Sequence, residues 1–382
     1  MAAGLGAWLA VAAVPLAAQN RGPEITRTVA GSIPVRGPMQ LHIAAELGNV
    51  RVSGARGNEL TYTILLRTRA AADASAGLDA WPVSVRQEGD TILIATGRGP
   101  AEGHTQVQIL VTAPPQVRAI QLHSAVGNLS ASHLAGSLRA VTAAGNIAVD
   151  EVSGPVRVET AGGNISLGHL GGSIHASTAG GDITLAAAAG SVDLQSQGGN
   201  ISVGEAAGPL RIATAGGAIV VGRAGGDVVA ETAGGNIRLG PVAGTVRAES
   251  GGGNIRVAAA RGLRCQTGAG DLDLGDVRGP VRAVTGAGSI HAVITAAAGE
   301  FAASLLQSSS GDIVVYLPRR LPVTVDAATT GGQQLSSDIP QIASAAARNQ
   351  GASAQVSLNG GGPVLRIETS NGGIRIQQIT SR

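Results

Sequence analysis

An 18-residue repeat runs through the middle of this chain and limits the folds that the chain can adopt. One slot of the repeat is held by Asn146, which is preceded by Gly and followed by Ile. The same slot recurs at Asn128, Asn146, Asn164, Asp182, Asn200, Ala218, Asn236 and Asn254, then after 17 residues at Asp271, and finally at Ser289. A period of this length indicates a stack of similar structural units.

Apolar residues within each copy follow the spacing of short strands. Counted from the slot, they stand at offsets +1, +3, +6, +10 and +12, as in Ile237, Leu239, Val242, Val246 and Ala248. The pairs +1/+3 and +10/+12 have the two-residue period of strands with one buried face. Gly at +8 and a Gly-rich stretch before the slot mark the two corners. We therefore predict rungs of two or three short strands joined by tight turns.

The chain as a whole is predicted to be all-β: a single-stranded parallel β-solenoid, or β-helix, with 18-residue rungs and irregular β caps. At the strand spacing of roughly 4.8 Å, ten rungs would form a rod on the order of 45 Å long. The offsets do not divide into the three equal hexads of left-handed solenoids, so we predict a right-handed one. The composition, with 58 Gly, one Phe, two Trp and two Tyr, leaves the core to small aliphatic side chains.

Four segments are predicted from the change of pattern along the chain. Residues 1–18 are apolar, end in small residues and resemble a signal peptide, with an uncleaved N-terminal anchor as the alternative. Residues 19–122 are predicted to form an irregular β cap, residues 123–317 the regular solenoid, and residues 318–382 irregular rungs and a second cap. Within the last segment, residues 333–353 are predicted to be a loop or a short helix. Beyond the N-terminal stretch, no segment is apolar enough to cross a bilayer.

Stacking the copies would create two polar columns. The first is the ladder of slot residues Asn128, Asn146, Asn164, Asp182, Asn200, Asn236, Asn254 and Asp271. The second consists of a Thr or Ser four residues before each slot, from Ser124 to Thr285. Stacked Asn and Thr side chains can hydrogen-bond to one another and to the backbone of the turns. We interpret both columns as structural ladders.

An outward stripe of basic side chains at offset +11 is the most specific surface feature of the sequence. Its arginines are Arg139, Arg157, Arg211, Arg247, Arg264 and Arg282. Guanidinium groups suit the carboxylates or sulfates of an anionic polysaccharide, so the stripe is a candidate binding surface. The alternative is a solvated face on which Glu159, Glu231 and Glu249 offset the repulsion between stacked arginines.

The remaining polar residues give little support to catalysis or metal binding. Asp271, Asp273 and Asp276 cluster in one copy, but paired carboxylates cleave glycosides only at set separations inside a cleft, and Asp271 occupies the ladder slot. His133 and His169 share an offset but lie two rungs apart, too far for a shared metal. The repeat lacks the GxD part of calcium-binding nonapeptides. We expect no enzymatic activity, no metal and no cofactor.

The net charge and the cysteine content limit the partners and the covalent cross-links that this chain can have. The formal net charge of +2 gives no sign of a nucleic-acid partner. The single cysteine, Cys265, excludes an internal disulfide. Because Cys265 aligns with the inward column of Val158 and Leu194, we predict that it is a small buried apolar side chain.

Three stretches of the chain resemble the bacterial "putative adhesin" domains of unknown function. They are residues 111–114 (VTAP) with 124–129 (SAVGNL), residues 308–313 (SSSGDI) with 317–318 (LP), and residues 358–362 (LNGGG) with 369–374 (TSNGGI). The resemblance covers nearly the whole chain after residue 18. It implies an exported β-solenoid and supplies no binding residues.

The sequence therefore predicts a non-enzymatic exported β-solenoid, an adhesin or an envelope binding protein that presents a repetitive face. Its expected location is the periplasm, the outer surface or the medium. Its partner would be an envelope polysaccharide or another surface protein. Two alternatives remain open: a polysaccharide lyase or hydrolase on the same fold, and an envelope scaffold with no soluble ligand.

Overall fold

The computed structural model describes residues 24–69, 74–99, 105–331 and 334–379. The predicted signal peptide, residues 1–18, lies outside the described residues. In the described part of the chain, no helix combines the length and the apolar character that crossing a membrane requires.

The described residues contain 34 strands and two short helices. The N-terminal elements are β1 (Glu24–Pro34), β2 (Met39–Leu47), β3 (Asn49–Gly54), β4 (Glu59–Arg69), α1 (Ala74–Asp79), β5 (Val83–Glu88), β6 (Thr91–Thr96), β7 (Gln106–Ala113), β8 (Val117–Val126) and β9 (Leu129–Leu134). The central strands are β10 (Ser137–Ala144), β11 (Ile147–Val152), β12 (Val156–Thr160), β13 (Ile165–Leu170), β14 (Ile174–Thr178), β15 (Ile183–Ala188), β16 (Val192–Ser196), β17 (Ile201–Ala206), β18 (Leu210–Thr214), β19 (Ile219–Ala224), β20 (Val228–Thr232), β21 (Ile237–Pro241), β22 (Thr245–Ser250), β23 (Ile255–Ala260), β24 (Gly262–Thr267), β25 (Leu272–Val277), β26 (Val281–Thr285) and β27 (Ile290–Ile294). The C-terminal elements are β28 (Ser304–Ser310), β29 (Ile313–Leu317), β30 (Val323–Thr329), β31 (Leu335–Ser337), α2 (Pro340–Arg348), β32 (Ser353–Leu358), β33 (Val364–Asn371) and β34 (Ile374–Gln378).

These strands form two long sheets, and the prediction of an all-β chain is confirmed. From β9 to β29, consecutive strands alternate between the sheets, the odd-numbered strands in the first sheet and the even-numbered strands in the second. Over this range the pairing within each sheet is parallel, and Ile147 pairs with Ile165 while Val156 pairs with Ile174. Antiparallel pairs occur toward the two ends, where β4 pairs with β1 and β7, β5 with β6, and β30 with β32. Two parallel sheets connected in this way are consistent with a β-solenoid.

The core between the two sheets is made of the small aliphatic side chains that the repeat places inward. In one copy, Ile165, Leu167, Leu170, Ile174 and Ala176 are each at most 3% exposed. They stand at offsets +1, +3, +6, +10 and +12, and the residues between them within each strand face outward. The two-residue period of the strands produces this alternation. The predicted inward columns are confirmed.

Changes in the length of the repeat fall at the corner between the two strands of a copy. A single residue, Arg261, separates β23 from β24, whereas three residues separate β21 from β22. Ile255 nevertheless pairs with Leu272, so the strands on both sides keep their register. Residues 295–303 form a longer connection at the same corner, between β27 and β28. The corner absorbs insertions and deletions while the buried columns continue unbroken.

Both ends of the stack are covered by excursions of the chain. Residues 39–54 form β2 and β3, which pair in parallel with β8 and β9 of the next copy. Residues 55–116 leave the stack and return as β6 and β7. β6 pairs with the outer edge of β2, and β7 pairs with the outer edge of β3. At the other end, β33 pairs with β28 and β34 pairs with β29. Residues 318–363 supply β30, which pairs with the outer edge of β33, and β31, which pairs with the outer edge of β34. The terminal copies therefore belong to the stack, and the excursions form its covers.

Two helices contribute to the covers. α2 lies within the stretch predicted to be a loop or short helix, and that prediction is confirmed. Its buried residues Ile342, Ala345 and Ala346 lie on the side that contacts β31 and β32. At the N-terminal end, α1 contacts β1 and β4 through a segment that includes the buried Leu78. The sequence analysis did not predict α1, because six residues are too few for a helical period to be recognised.

Candidate functional site

The arginine stripe lies on the outer face of the second sheet. Offsets +10 and +12 of each copy point into the core, so offset +11 between them points to solvent. Neighbouring strands pair in register at this offset, which brings Arg139 beside Arg157 and Arg264 beside Arg282. The complete column is Arg139, Arg157, His175, Asp193, Arg211, Val229, Arg247, Arg264 and Arg282. Adjacent members are roughly 4.8 Å apart at the backbone.

Glutamates at offset +13 form ion pairs with part of this column. Oε1 of Glu159 lies 2.5 Å from Nε of Arg157 and 3.9 Å from the guanidinium of Arg139. Since the arginine side chains are about half exposed, each of these pairs contributes little to stability, on the order of 0–1 kcal/mol. The contacts hold the guanidinium groups in place along the face and reduce their net charge.

Farther along the column, two more glutamates bind two more arginines. Glu231 lies 3.4 Å from Arg211 and 3.9 Å from Arg247, and Glu249 lies 2.9 Å from Arg247. Between this group and Glu159, Nδ1 of His175 lies 3.1 Å from Oδ2 of Asp193. Four of the six predicted arginines are thus paired with carboxylates, as the solvated-face alternative requires.

The last two arginines of the stripe differ from the other four. Among the residues that the structure describes, Arg264 and Arg282 have no carboxylate within 4.0 Å. The residues beside them at offset +13 are Gln266 and Val284, which carry no charge. The stripe therefore ends in two adjacent, uncompensated guanidinium groups that are exposed to solvent.

A groove of ≈ 740 Å³ runs along the same face beside the glutamates. It crosses several copies, and its polar floor is supplied by outward side chains at offset +13. These include Ser177, Gln195, Glu231, Glu249 and Gln266. Amide and carboxylate groups repeated at the strand spacing offer hydrogen bonds to an extended polar ligand.

The ladder residues have a backbone partner, copy after copy. Oδ1 of Asn128 accepts a hydrogen bond from the backbone N–H of Asn146 at 2.8 Å, and Oδ1 of Asn146 accepts from Asn164 in the same way. The remaining predicted ladder residues Asn164, Asp182, Asn200, Asn236, Asn254 and Asp271 each accept such a bond, at 2.7–2.9 Å. The Asn side chains thus bond to the backbone of the next copy. The sequence alone also allowed hydrogen bonds between the side chains themselves.

The Thr and Ser column bonds to backbone as well. Oγ1 of Thr178 donates to the carbonyl of Gly163 in the preceding copy at 2.9 Å and accepts from the N–H of Gly181 at 3.2 Å. Every hydroxyl of this column from Ser124 to Thr285 is buried. The Asn ladder extends beyond its predicted members, since Oδ1 of Asn49 and Oδ1 of Asp312 accept the corresponding bonds. The motifs Gly48-Asn49-Val50 and Gly311-Asp312-Ile313 are their signal in the sequence.

The three clustered aspartates are engaged separately. Asp271 accepts the ladder bond from the N–H of Ser289 at 2.8 Å. Asp273 lies between Arg256 at 3.2 Å and His291 at 3.3 Å on the outer face of the first sheet. Hydrogen bonding from Arg278 holds the pKa of Asp276 below its usual value. The lowered pKa of Asp276 is the opposite of the raised pKa that an acid catalyst of glycoside cleavage needs at neutral pH.

The two histidines that share an offset contact different acids. Nε2 of His133 lies 3.0 Å from Glu151, and Nδ1 of His169 lies 3.9 Å from Asp150. Cys265 is fully buried between Ala248 and Ala283 of the neighbouring strands, as predicted.

No protein-family model and no curated protein matches this chain. A solved structure similar to it is a putative cell adhesion protein from Clostridium sporogenes, with 9% identity, 93% of this chain and 100% of that chain covered, and a TM-score of 0.18. A putative lipid binding protein from Parabacteroides distasonis has 14% identity, 75% and 96% coverage, and a TM-score of 0.24. A putative adhesin from Parabacteroides merdae has 8% identity, 93% and 97% coverage, and a TM-score of 0.25. Likeness at this level brings no ligand and no binding residue to this chain.

Proposed function

We propose that this chain is an exported, non-enzymatic binding protein that presents the outer face of its second sheet to an acidic polysaccharide of the cell envelope. The observation that carries the proposal is the in-register arginine column. Within it, Arg247, Arg264 and Arg282 repeat a bidentate donor at the strand spacing, and the last two are uncompensated. A chain of carboxylated or sulfated sugars presents anions in a similar linear series, so several weak contacts act together.

Retention on a column of immobilised acidic polysaccharide tests this proposal. Arg264→Gln with Arg282→Gln removes the two free guanidinium groups and should greatly weaken salt-sensitive retention. Adding Arg157→Gln, Arg211→Gln and Arg247→Gln should abolish it. The matched control is Arg51→Gln with Arg348→Gln, which removes the same charge from two exposed positions, one on β3 of the first sheet and one on α2. Equal elution of control and column variants would refute a role for the column.

The absence of catalysis is a separate part of the proposal and needs a separate experiment. The purified chain is incubated with acidic polysaccharides, and the appearance of new reducing ends or unsaturated ends is followed. No increase over a protein-free sample is expected. New ends that depend on the protein would replace this proposal with the alternative of a polysaccharide lyase or hydrolase.

Export is supported by the apolar character of residues 1–18 and the small residues at their end. Mass spectrometry of the mature N-terminus, together with fractionation of cells that carry a tagged copy, tests this point. Cleavage near residue 18 and recovery outside the cytoplasm are expected. A cell-adhesion assay distinguishes an adhesin from a scaffold, since only the adhesin would hold cells to a surface coated with the polysaccharide.

We also propose that the two sheets form a right-handed solenoid with 18-residue rungs. The handedness is supported by offsets that do not divide into hexads, and the rung length by partners such as Ile183 and Ile201, which stand 18 residues apart. An experimental structure at a resolution that traces the corners tests both features.

A further inference from the structure

The Asn ladder is interrupted at Ala218. The N–H of Ala218 donates to Oδ1 of Asn200 at 2.8 Å, but its methyl group offers no acceptor to the next copy. Within the described residues, the backbone N–H of Asn236 consequently has no acceptor, although Oδ1 of Asn236 accepts from Asn254 at 2.8 Å. Gly235 beside the gap is half-buried, whereas the equivalent glycines of the two neighbouring copies are buried. The gap exposes a backbone donor at the place where every neighbouring copy supplies an oxygen.

Two arginines lie next to this donor on the outer face of the first sheet. Arg238 and Arg256 are register partners in β21 and β23, and both are exposed. Nε of Arg256 lies 3.2 Å from Oδ2 of Asp273. Arg238 has no carboxylate within 4.0 Å among the described residues. A free guanidinium beside a free N–H makes a local excess of hydrogen-bond donors with positive charge.

A groove of ≈ 430 Å³ lies over the gap and joins these donors. Its lining includes Ala218, Asn236, Arg238 and Arg256, and, at the end away from Ala218, the carboxylates of Asp271 and Asp273. Two residues farther along the same strands, Gly222 and Gly240 face outward at offset +4 and leave the backbone uncovered. A Cβ atom on Gly222 would come 2.5 Å from the carbonyl oxygen of Gly204, and the residue at the same offset in the copy after that of Gly240 is the small Ala258. A flat ring can therefore lie against the sheet beside the donors.

We propose that this gap binds the carboxylate of a hexuronic acid unit of an acidic polysaccharide. One carboxylate oxygen takes the place of the missing Asn Oδ1 and accepts from the N–H of Asn236. The other oxygen accepts from the guanidinium of Arg238. The choice of a polysaccharide rests on the proposed function, while the site lies on the opposite sheet from the arginine column.

The position of the gap favours a sugar ligand over an acidic peptide. The strands β19, β21 and β23 are paired on both sides within the sheet. An extended peptide binds most readily to a free sheet edge, where its own backbone completes the pairing. No such edge exists at these three strands, so recognition must come from a side group such as a carboxylate.

The test is a titration of the isotope-labelled full chain with tetragalacturonate, followed by the NMR signal of the Asn236 amide. In the unchanged chain, this signal and the Nε signal of Arg238 should shift on binding. Ala218→Asn supplies the missing acceptor, should suppress the shift and should lower affinity at the gap by about tenfold or more, since charge-assisted hydrogen bonds are lost. Arg238→Gln should also lower the affinity for tetragalacturonate at the gap.

Asn146→Ala is the matched control, because it frees the N–H of Asn164 and opens an equivalent gap four copies earlier, away from the gap at Ala218. The residues at offset +2 there are Ser166 and Thr184 in place of Arg238 and Arg256. The freed N–H of Asn164 should not respond to tetragalacturonate. An increase in the thermal midpoint of Ala218→Asn would show independently that the ladder has been completed.

Three results would overturn the inference: an Asn236 amide that does not respond, an Ala218→Asn variant that binds like the unchanged chain, or an equal response to an uncharged tetrasaccharide or to a glutamate-rich peptide. Failure here is distinguishable from failure of the proposed function. Column retention that depends on Arg264 and Arg282 but not on Ala218 would leave the proposed function in place and remove only this site.

Discussion

The carboxylate of Asp227 binds Thr245 twice across one copy of the repeat. Its Oδ1 atom accepts from the backbone N–H of Thr245 at 2.7 Å and from Oγ1 at 2.9 Å. The hydrogen bond from the backbone is the main reason that the pKa of Asp227 lies below its ordinary value of 3.8. The corner at offset +9 thus contains the same link from a side-chain oxygen to the backbone of the next copy as the Asn ladder does at the other corner.

Replacing Asp227 by Ala should destabilise the chain at neutral pH and have little effect in acid. Because the folded-state pKa is lowered, the carboxylate stabilises the fold fully above its ordinary, unfolded-state pKa of 3.8. That stabilisation is lost as the pH falls through the folded-state pKa. The difference in urea midpoint between the two chains should therefore shrink below a pH of about 4.

Asp227→Asn is the control for this experiment. The amide keeps an Oδ1 acceptor but carries no charge, so at neutral pH the variant should lie between Asp227→Ala and the unchanged chain. A midpoint difference for Asp227→Ala that is constant from neutral pH into acid would show that the ionised form has no special role.

The buried hydroxyl column should matter more than its small side chains suggest. Thr178→Val keeps the shape of the side chain but removes the acceptor for Gly181 and the donor to Gly163. Each buried group left without a partner costs about 1–3 kcal/mol, so a clear drop in the urea midpoint is expected. Thr178→Ser should be nearly neutral, because Ser196 holds the same two bonds in the next copy. Equal effects of Val and Ser would contradict this explanation.

The repeat made much of this arrangement predictable. A two-residue period within a constant 18-residue spacing determines which side chains face the core, and it brings members of a column such as Arg139 and Arg157 side by side. Asp227 was not predicted, because an acidic residue at offset +9 occurs in one copy and has no period. The ion pairs of the column were predicted only as a possibility, since they depend on side-chain conformations that spacing does not determine.

The ends of the stack were harder to predict for a different reason. Residues 39–54 join the stack across an excursion of more than sixty residues, and Leu41 pairs with Ile120. No periodic signal connects two segments so far apart in sequence, because their pairing is determined by tertiary contacts. The same holds for Ile374, which pairs with Ile313 across the second excursion.

Two adjacent glycines at one corner should respond differently to substitution. A Cβ atom on Gly163 would overlap the carbonyl oxygen of Gly145 in the preceding copy, whereas one on Gly162 would meet no atom within 4 Å. Gly163→Ala should therefore force the copies apart and lower the thermal midpoint strongly. Gly162→Ala, the matched control, should change it little. Equal midpoints for the two variants would show that the corner adapts to an added methyl group.

Cys265 should be almost unreactive toward alkylating reagents while the stack is closed. Burial raises the pKa of Cys265 to about 12, and the thiolate is the reacting species. Iodoacetamide at neutral pH should modify the native chain far more slowly than the chain in denaturant, with mass spectrometry as the readout. In the control, Arg264→Cys combined with Cys265→Ala moves the thiol one residue along the strand to the outer face, where alkylation should be fast. Rapid alkylation of native Cys265 would instead mean that β24 separates frequently from its neighbours, and the rate would then measure how often the stack opens there.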